Sequence, residues 1–335
     1  MNQMDISIVI QGPILGNNEI DRSKQITKIC CDRVRELMPR AEIILSTWEN
    51  SNVKGISYDK VVFSKDPGGI LMTLDGVKRM NNTNRMIVST LAGLKEVSRK
   101  YVIKMRSDIY LENLNFIDKF GKYRNMGKEN ILDEKIITLS ANCYKRSSKI
   151  IFTVNDWFEF GYTKDVIKIW DIPLQNEKKL IKNKEQLPAF EENLVGEDFV
   201  WTSFLQKSDK YKKILEKYDT IIPITDENIK SYEESLVENV VLYNGKQLGI
   251  NSLKLPSKNY VRRDFAKASC FTHSEWLKMY KKYLDYSVKI KFSLEDYVDI
   301  FLYQFVFNFL NKRLKGIYIF LRDNYNKVNK KWGKI

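Results

Sequence analysis

The sequence has a single histidine, only four cysteines, and no apolar run of bilayer length. A Ser-His-Asp triad or a histidine-based metal centre would have to rest on His273 alone. That residue lies inside Thr272-His-Ser-Glu275, which has the form of a helix capping box and so has a structural explanation. Acid–base chemistry therefore falls to carboxylates. Cys30 and Cys31 are adjacent, whereas Cys143 and Cys270 stand apart. Without a Cys-x-x-Cys pair, neither a zinc site nor a disulfide framework is indicated, and reduced, partly buried thiols are expected. Spanning a bilayer takes about 20 apolar residues, and no segment approaches that length. Met1 to Asp5 is polar and Ile6 to Ile10 is only strand-length, so no signal peptide is expected and the cytoplasm is the expected location. Two phosphate-binding fingerprints are missing as well. Gln11-Gly-Pro-Ile-Leu-Gly16 lacks the G-x-G-x-x-G spacing, and no Walker-type Gly-Lys-Ser/Thr occurs. Classical hydride transfer and P-loop phosphoryl transfer lose ground accordingly.

What the chain does contain is alternation. Ile6 to Ile10 is a predicted strand closed by Gln11-Gly12-Pro13, and Asp21 to Leu37 a predicted helix stopped at Pro39. Glu42 to Leu45 and Lys60 to Phe63 are further strands, ending in Ser46-Thr47-Trp48 and Ser64-Lys-Asp-Pro-Gly-Gly69. A helix from Asn84 to Ser98 and a strand from Tyr101 to Met105 follow. Such a series predicts an α/β fold, a Rossmann-type mainly parallel sheet flanked by helices. Further on, strands are expected at Lys135 to Ser140 and Lys149 to Phe152, and a helix at Asp165 to Trp170. Gln175 to Lys184 reads as a charged, solvated segment, and Phe199 to Leu205 as a helix opened by Gly196-Glu197-Asp198.

The most informative stretch is Tyr101-Val-Ile-Lys-Met-Arg-Ser-Asp108, an apolar strand that breaks into Arg106-Ser107-Asp108. Ligands of open α/β sheets sit outside the carboxyl ends of the strands. A carboxylate there can hold Mg²⁺ or Mn²⁺ bridging to a diphosphate, or it can simply cap a turn. Glu197 and Asp198 are favoured by a helix dipole, yet a partly desolvated carboxylate also suits a general base acting on a sugar hydroxyl. Asp156, in Asn155-Asp-Trp157, is the third candidate for that role or for acceptor binding. Gly12-Pro13 is either a strand-exit turn or a place where a nucleotide meets backbone groups beside Gln11.

Taken together, Ile10-Gln-Gly-Pro13, Leu45-Ser-Thr-Trp48, Asp66-Pro-Gly68, Asn84-Arg85 with Ser89-Thr90 and Gly93, Lys104-x-Arg-Ser-Asp108, and Asp156-Trp157 with Gly161 resemble the WavE lipopolysaccharide-synthesis family. The resemblance runs over roughly Ile6 to Leu205. It implies a bacterial glycosyltransferase of the GT-A type, moving a sugar from a nucleotide-sugar donor to a lipopolysaccharide or capsule intermediate, a glycan or lipid-linked glycan acceptor. By that likeness Asp108 matches the metal or diphosphate position of an Asp-x-Asp motif, and this chain carries Arg106 where the first Asp would stand. Diphosphate charge can then be met by Mg²⁺ or Mn²⁺ at Asp108 or by bidentate contacts from Arg106 itself. The implied donor site comprises Gln11, Gly12, Pro13, Thr47, Asp66, Arg85, Arg106, Ser107 and Asp108; Arg85, near a helix start, would reinforce phosphate binding there. Two alternatives stand beside this expectation: a sugar nucleotidyltransferase, and a non-catalytic, membrane-attached subunit of glycan assembly.

The expected organisation is a catalytic domain over 1–270 and a helical, basic extension over 271–335. From Lys312 to Ile335 eight basic residues face Asp323 alone, a net +7 that is half of the chain's +14. Before it, Ile300 to Leu310 is apolar and aromatic except for Gln304 and Asn308. That combination suits an anionic membrane surface, at about 1 kcal/mol per basic residue near the lipid, or equally a core helix with a solvated basic end. No zinc-finger or RNP-type motif accompanies the charge, so nucleic acid is not an expected partner.

Overall fold

A computed structural model describes residues 2–74, 77–123, 125–126, 130–146, 150–175, 196–218, 222–253, 270–290 and Tyr297. Its centre is a seven-stranded sheet. Strands β1 (Ile6–Gln11), β2 (Glu42–Trp48) and β3 (Lys60–Ser64) run parallel to one another, and β1 also pairs in parallel with β6 (Tyr101–Arg106). Every residue of β1 is buried, which is why it reads as an unbroken apolar run rather than an alternating one. Beyond β6 lies β9 (Phe158–Tyr162), antiparallel to its neighbours β6 and β8 (Ile136–Leu139), and β10 (Val240–Tyr243) closes that edge parallel to β8. Between β3 and β6 an antiparallel hairpin, β4 (Ile70–Leu74) and β5 (Val77–Asn81), forms a separate small sheet. The expected Rossmann-type, mainly parallel sheet with flanking helices is the observed architecture.

Helical spacing decides which faces pack. In α1 (Ile26–Leu37) the buried Thr27, Cys30, Cys31 and Val34 form one stripe, and in α2 (Thr83–Lys95) Thr83, Ile87, Thr90 and Leu94 do the same. Helix α2 lies on β1 and β2. The cysteines are free and buried, as expected, and burial pushes the Cys31 thiol up to about 12, so it stays protonated. The polar start expected for α1 is a short 3₁₀ turn, Arg22–Lys24, capped by Asp21.

One expected strand is absent. Residues 150–155 pair with nothing as a strand: Phe152 has a positive φ of 61°, and side chains take the backbone bonds. Thr153 Oγ1 accepts from the Tyr144 N–H at 2.9 Å, and the Thr153 carbonyl accepts from the Tyr232 hydroxyl at 2.7 Å. The strand lies a few residues later, as β9. Gln175 is buried, not solvated, because it exchanges two bonds with the Asn84 side chain (2.7 and 3.0 Å); 176–184 lie outside the described residues. In the second half, α3 (Thr163–Trp170), α4 (Gly196–Leu205), α5 (Asp209–Leu215) and α6 (Asp226–Asn239) precede β10. A short turn α7 (Gly245–Leu248) follows, and then β11 (Ile250–Ser252) pairs antiparallel with β7 (Ile109–Leu111). The Thr272–Glu275 capping box opens α8 (His273–Tyr283) as predicted, and α8 packs its Trp276 and Tyr280 into the core beside α6 and β10. The polybasic tail lies outside the described residues. Among the described residues no helix is long and apolar enough to cross a membrane.

Candidate active site

Parallel register brings the turns after β1, β2 and β6 together. Gln11 stands opposite Ser46 on one side and Arg106 on the other, so β1, β2 and β6 end at one level. There the Ser107 N–H donates to the Gln11 carbonyl (2.9 Å), its hydroxyl donates to the Pro13 carbonyl (2.7 Å), and the Gly12 N–H donates to Ser46 (3.0 Å). Gly12 needs its missing Cβ: its φ is +119°, and a Cβ would meet Ser107 Oγ at 3.3 Å. The Gln11 side chain turns inward and accepts from Ser89 of α2 at 2.7 Å. Thr47 is fully buried, its hydroxyl 3.2 Å from that of Ser51. These residues close the carboxyl ends of β1, β2 and β6; Gln11 and Thr47 offer no exposed side chain there.

Arg106 and Asp108 are bound to each other. The guanidinium donates through Nε to Oδ1 (3.0 Å) and through Nη2 to Oδ2 (2.8 Å), a bidentate pair. The Asp108 side chain is 4% exposed and that of Arg106 30% exposed. Arg106 also lies over the Trp157 ring, 5.2 Å from its centroid. A guanidinium has five N–H donors, so Asp108 leaves three of them for a ligand.

A carboxylate cluster faces this arginine. Asp156 and Glu197 both act on the charge of Arg106 along with Asp108. Glu197 opens α4, where its Oε1 accepts from Asn142 Nδ2 at 2.7 Å. The residue keeps partial exposure while its carboxyl group is enclosed, and that desolvation, followed by the nearby Asp156 charge, pushes it up to about 7. Asp198 is buried, one of its oxygens has no hydrogen-bond partner, and burial holds its carboxyl well above the usual range. Asp156 is likewise buried with Oδ1 unpartnered, and its neighbour Asn155 has an unpartnered Nδ2. Buried polar atoms without partners are few in folded proteins, and Asn155 and Asp156 are consecutive in the chain. The absent Cβ of Gly196 lets α4 start against α2, since one would meet the Met86 methyl at 2.8 Å.

Asp66 and Arg85 form a separate pair at the rim. Arg85 donates to both oxygens of Asp66 at 2.7 Å, and Asp66 also accepts from the Gly68 N–H. The pair joins the loop after β3 to the first turn of α2, and neither residue bonds to Arg106 or Asp108. Sequence reasoning assigned no role to Asn142, Asn155, Lys104 or Glu159. The last two were detectable as lone charges inside apolar strands, since burying an unpaired charge is costly.

The Asp108 carboxylate does not fit a divalent cation as it stands. Both of its oxygens already accept from Arg106, and no group of three histidine, cysteine or acidic side chains converges on a cation position among the described residues. A hard cation takes six or more oxygen ligands in total.

A family model described as WavE lipopolysaccharide synthesis matches residues 6–313. No curated protein matches the chain. Solved structures resemble it distantly. A 4-diphosphocytidyl-2C-methyl-D-erythritol synthase from Anaerococcus prevotii is 16% identical with a TM-score of 0.32, over 70% of this chain and 99% of that one. A cytidylyltransferase from Leptospira borgpetersenii is 13% identical with a TM-score of 0.28, over 64% and 74%. A Drosophila galactosyltransferase mutant, solved with manganese, UDP-Gal and xylobiose, is 9% identical with a TM-score of 0.24, over 49% and 51%. Likenesses this slight carry no argument about activity or metal.

Proposed function

The chain belongs to the WavE lipopolysaccharide synthesis family, and on that premise we propose that it is a glycosyltransferase moving a sugar from a nucleotide donor to a hydroxyl of a cell-surface glycan intermediate. The observation that carries the reading is a guanidinium with donors to spare at the end of β6, within electrostatic reach of an enclosed carboxyl at the start of α4 that burial pushes up to about 7. Direct displacement at the donor sugar, with inversion, uses both: a cation where the leaving phosphate gathers charge, and a base where the acceptor loses its proton.

In this mechanism Arg106 receives the departing nucleotide phosphate through the N–H groups that Asp108 leaves unused. Asp108 and the Trp157 ring hold the guanidinium flat and in place, sparing the reorganisation that a free arginine would need. The acceptor hydroxyl attacks the anomeric carbon of the donor, the glycosyl–phosphate bond breaks, and the hydroxyl proton passes to Glu197. Glu197 is preferred to Asp198 because the residue keeps partial exposure, whereas Asp198 is buried. Asp156, with Oδ1 unpartnered, is assigned to the acceptor. Gly12, Pro13 and Ser107 shape the donor side through backbone contacts, and the Asp66–Arg85 pair borders it. The basic tail would hold the protein at an anionic membrane where a lipid-linked acceptor lies.

A panel of UDP-, GDP-, CMP- and dTDP-sugars tests the reading. Transfer, or slow donor hydrolysis without acceptor, is the expected result. Pyrophosphate release would indicate a nucleotidyltransferase instead. Neither donor turnover nor thermal stabilisation by any donor would leave a non-catalytic subunit.

A further inference from the structure

Lys104 is a fully buried lysine in the middle of an apolar strand. Its cross-strand partner in the β6–β9 register is Glu159, also buried. Trp170 covers the pair: the ammonium lies 4.1 Å from its ring centroid, and its indole N–H donates to Glu159 at 2.6 Å. Attraction to Glu159 favours the charge of Lys104 but does not account for where the ammonium reaches, which is the backbone carbonyl of Asp156.

That carbonyl belongs to the peptide between Asp156 and Trp157, and the N–H of the same peptide donates to Asn155 Oδ1 at 2.8 Å. One peptide plane is therefore held from both sides by side chains. Its two flanking residues are the carboxylate whose Oδ1 has no partner and the ring over which Arg106 lies. The next carbonyl, of Trp157, accepts from the Arg106 N–H at 3.1 Å. With no partner on Oδ1, the Asp156 side chain takes its direction from this clamped backbone.

We propose that Lys104 is a positioning residue for acceptor binding: by gripping the Asp156–Trp157 peptide it aims the Asp156 carboxylate at the acceptor and seats Trp157 beneath Arg106. The clamp is geometry; its consequence for turnover rests on the sugar-transfer reading above.

Lys104→Met alone would strand the Glu159 charge, so the informative protein is the double variant Lys104→Met, Glu159→Gln. Replacing two mutually attracting buried charges by neutral groups is tolerated more readily than removing one of them. The expected double variant folds with a melting temperature near wild type and binds nucleotide-sugar within a few-fold. Its acceptor-dependent kcat is expected to fall about 100-fold, the scale of an ångström-level misplacement. Adding Asn155→Ala should cost little more, because both side chains hold the same peptide and such effects are not additive. A double variant with full kcat would overturn the proposal, as would a fully additive third substitution. If the wild-type protein transfers nothing from any donor, the sugar-transfer reading fails, and the crystal structure of the double variant then decides the clamp. A rotated Asp156–Trp157 peptide upholds it, and an unmoved one overturns it.

Discussion

Replacing Glu197 by glutamine should move activity and stability in opposite directions, and both effects follow from one enclosed carboxyl. In the unfolded chain this group titrates at its ordinary 4.5; in the fold, burial and the Asp156 charge raise it to about 7. Below pH 4.5 both states are protonated, and the group costs the fold nothing. Between 4.5 and about 7 the folded protein holds a proton that the unfolded chain has released, so stability declines as pH rises. Above that window the full cost is present: at about 1.4 kcal/mol per pH unit, an interval of roughly 2.5 is worth about 3 kcal/mol. Glutamine mimics the protonated form and its carbonyl can still accept from Asn142. Glu197→Gln should therefore match wild type in denaturant at pH 4 and exceed it at pH 8.5. Turnover should fall by about 10²- to 10⁴-fold, the usual yield of a general base, and the wild-type rise in kcat through pH 7 should disappear. Urea titrations at the two pH values and a pH profile of kcat measure both. Parallel stability curves for the two proteins, or a variant with wild-type turnover, would refute the assignment.

Asp108→Asn should keep the protein folded but release one of the two bonds on Arg106, lowering kcat by about 100-fold with a smaller change in acceptor KM. Transfer should survive EDTA, because both Asp108 oxygens are engaged by Arg106; activity lost to EDTA and restored by Mn²⁺ would show that the pair opens to admit a cation. Deleting 312–335 should release the protein from anionic vesicles without affecting transfer to a soluble acceptor. Salt should do so in part, since the screening length shortens from about 10 Å at 0.1 M to about 3 Å at 1 M. Full-length protein that ignores such vesicles at low salt would rule the attachment out.

The parallel half of the sheet was legible because strands buried on both faces announce themselves as apolar runs; β1, β2 and β6 were located from that signal alone. The antiparallel strand β9 was not, because Glu159 and Gly161 interrupt its pattern, and the more apolar stretch just before it drew the assignment. That stretch is buried without being a strand, its backbone satisfied by Thr153 and Tyr232. Helix α6 escaped notice for a related reason: its buried face contains Asn228, Ser231 and Ser235 beside Tyr232 and Leu236, so the apolar stripe is thin.

The site was legible one strand end at a time. The turns Gln11-Gly12-Pro13 and Arg106-Ser107-Asp108 could be picked out singly, and parallel register then made them neighbours. The departure at Arg106 was visible as a residue but not as an interaction; only the fold shows the guanidinium spending two donors on Asp108 and keeping the rest. Glu197 and Asp156 lie 41 positions apart, and what raises the Glu197 carboxyl is burial followed by the charge of Asp156, opposed by the bond from a single asparagine, Asn142, held at a φ of 61°. Left-handed backbone is costly for most residues and cheaper for asparagine. A loop that accepts it so as to place one amide against one carboxyl leaves no periodic trace in the sequence. The chemistry was therefore readable as residue types, while the protonation state that lets them act is a property of burial, which only folding supplies.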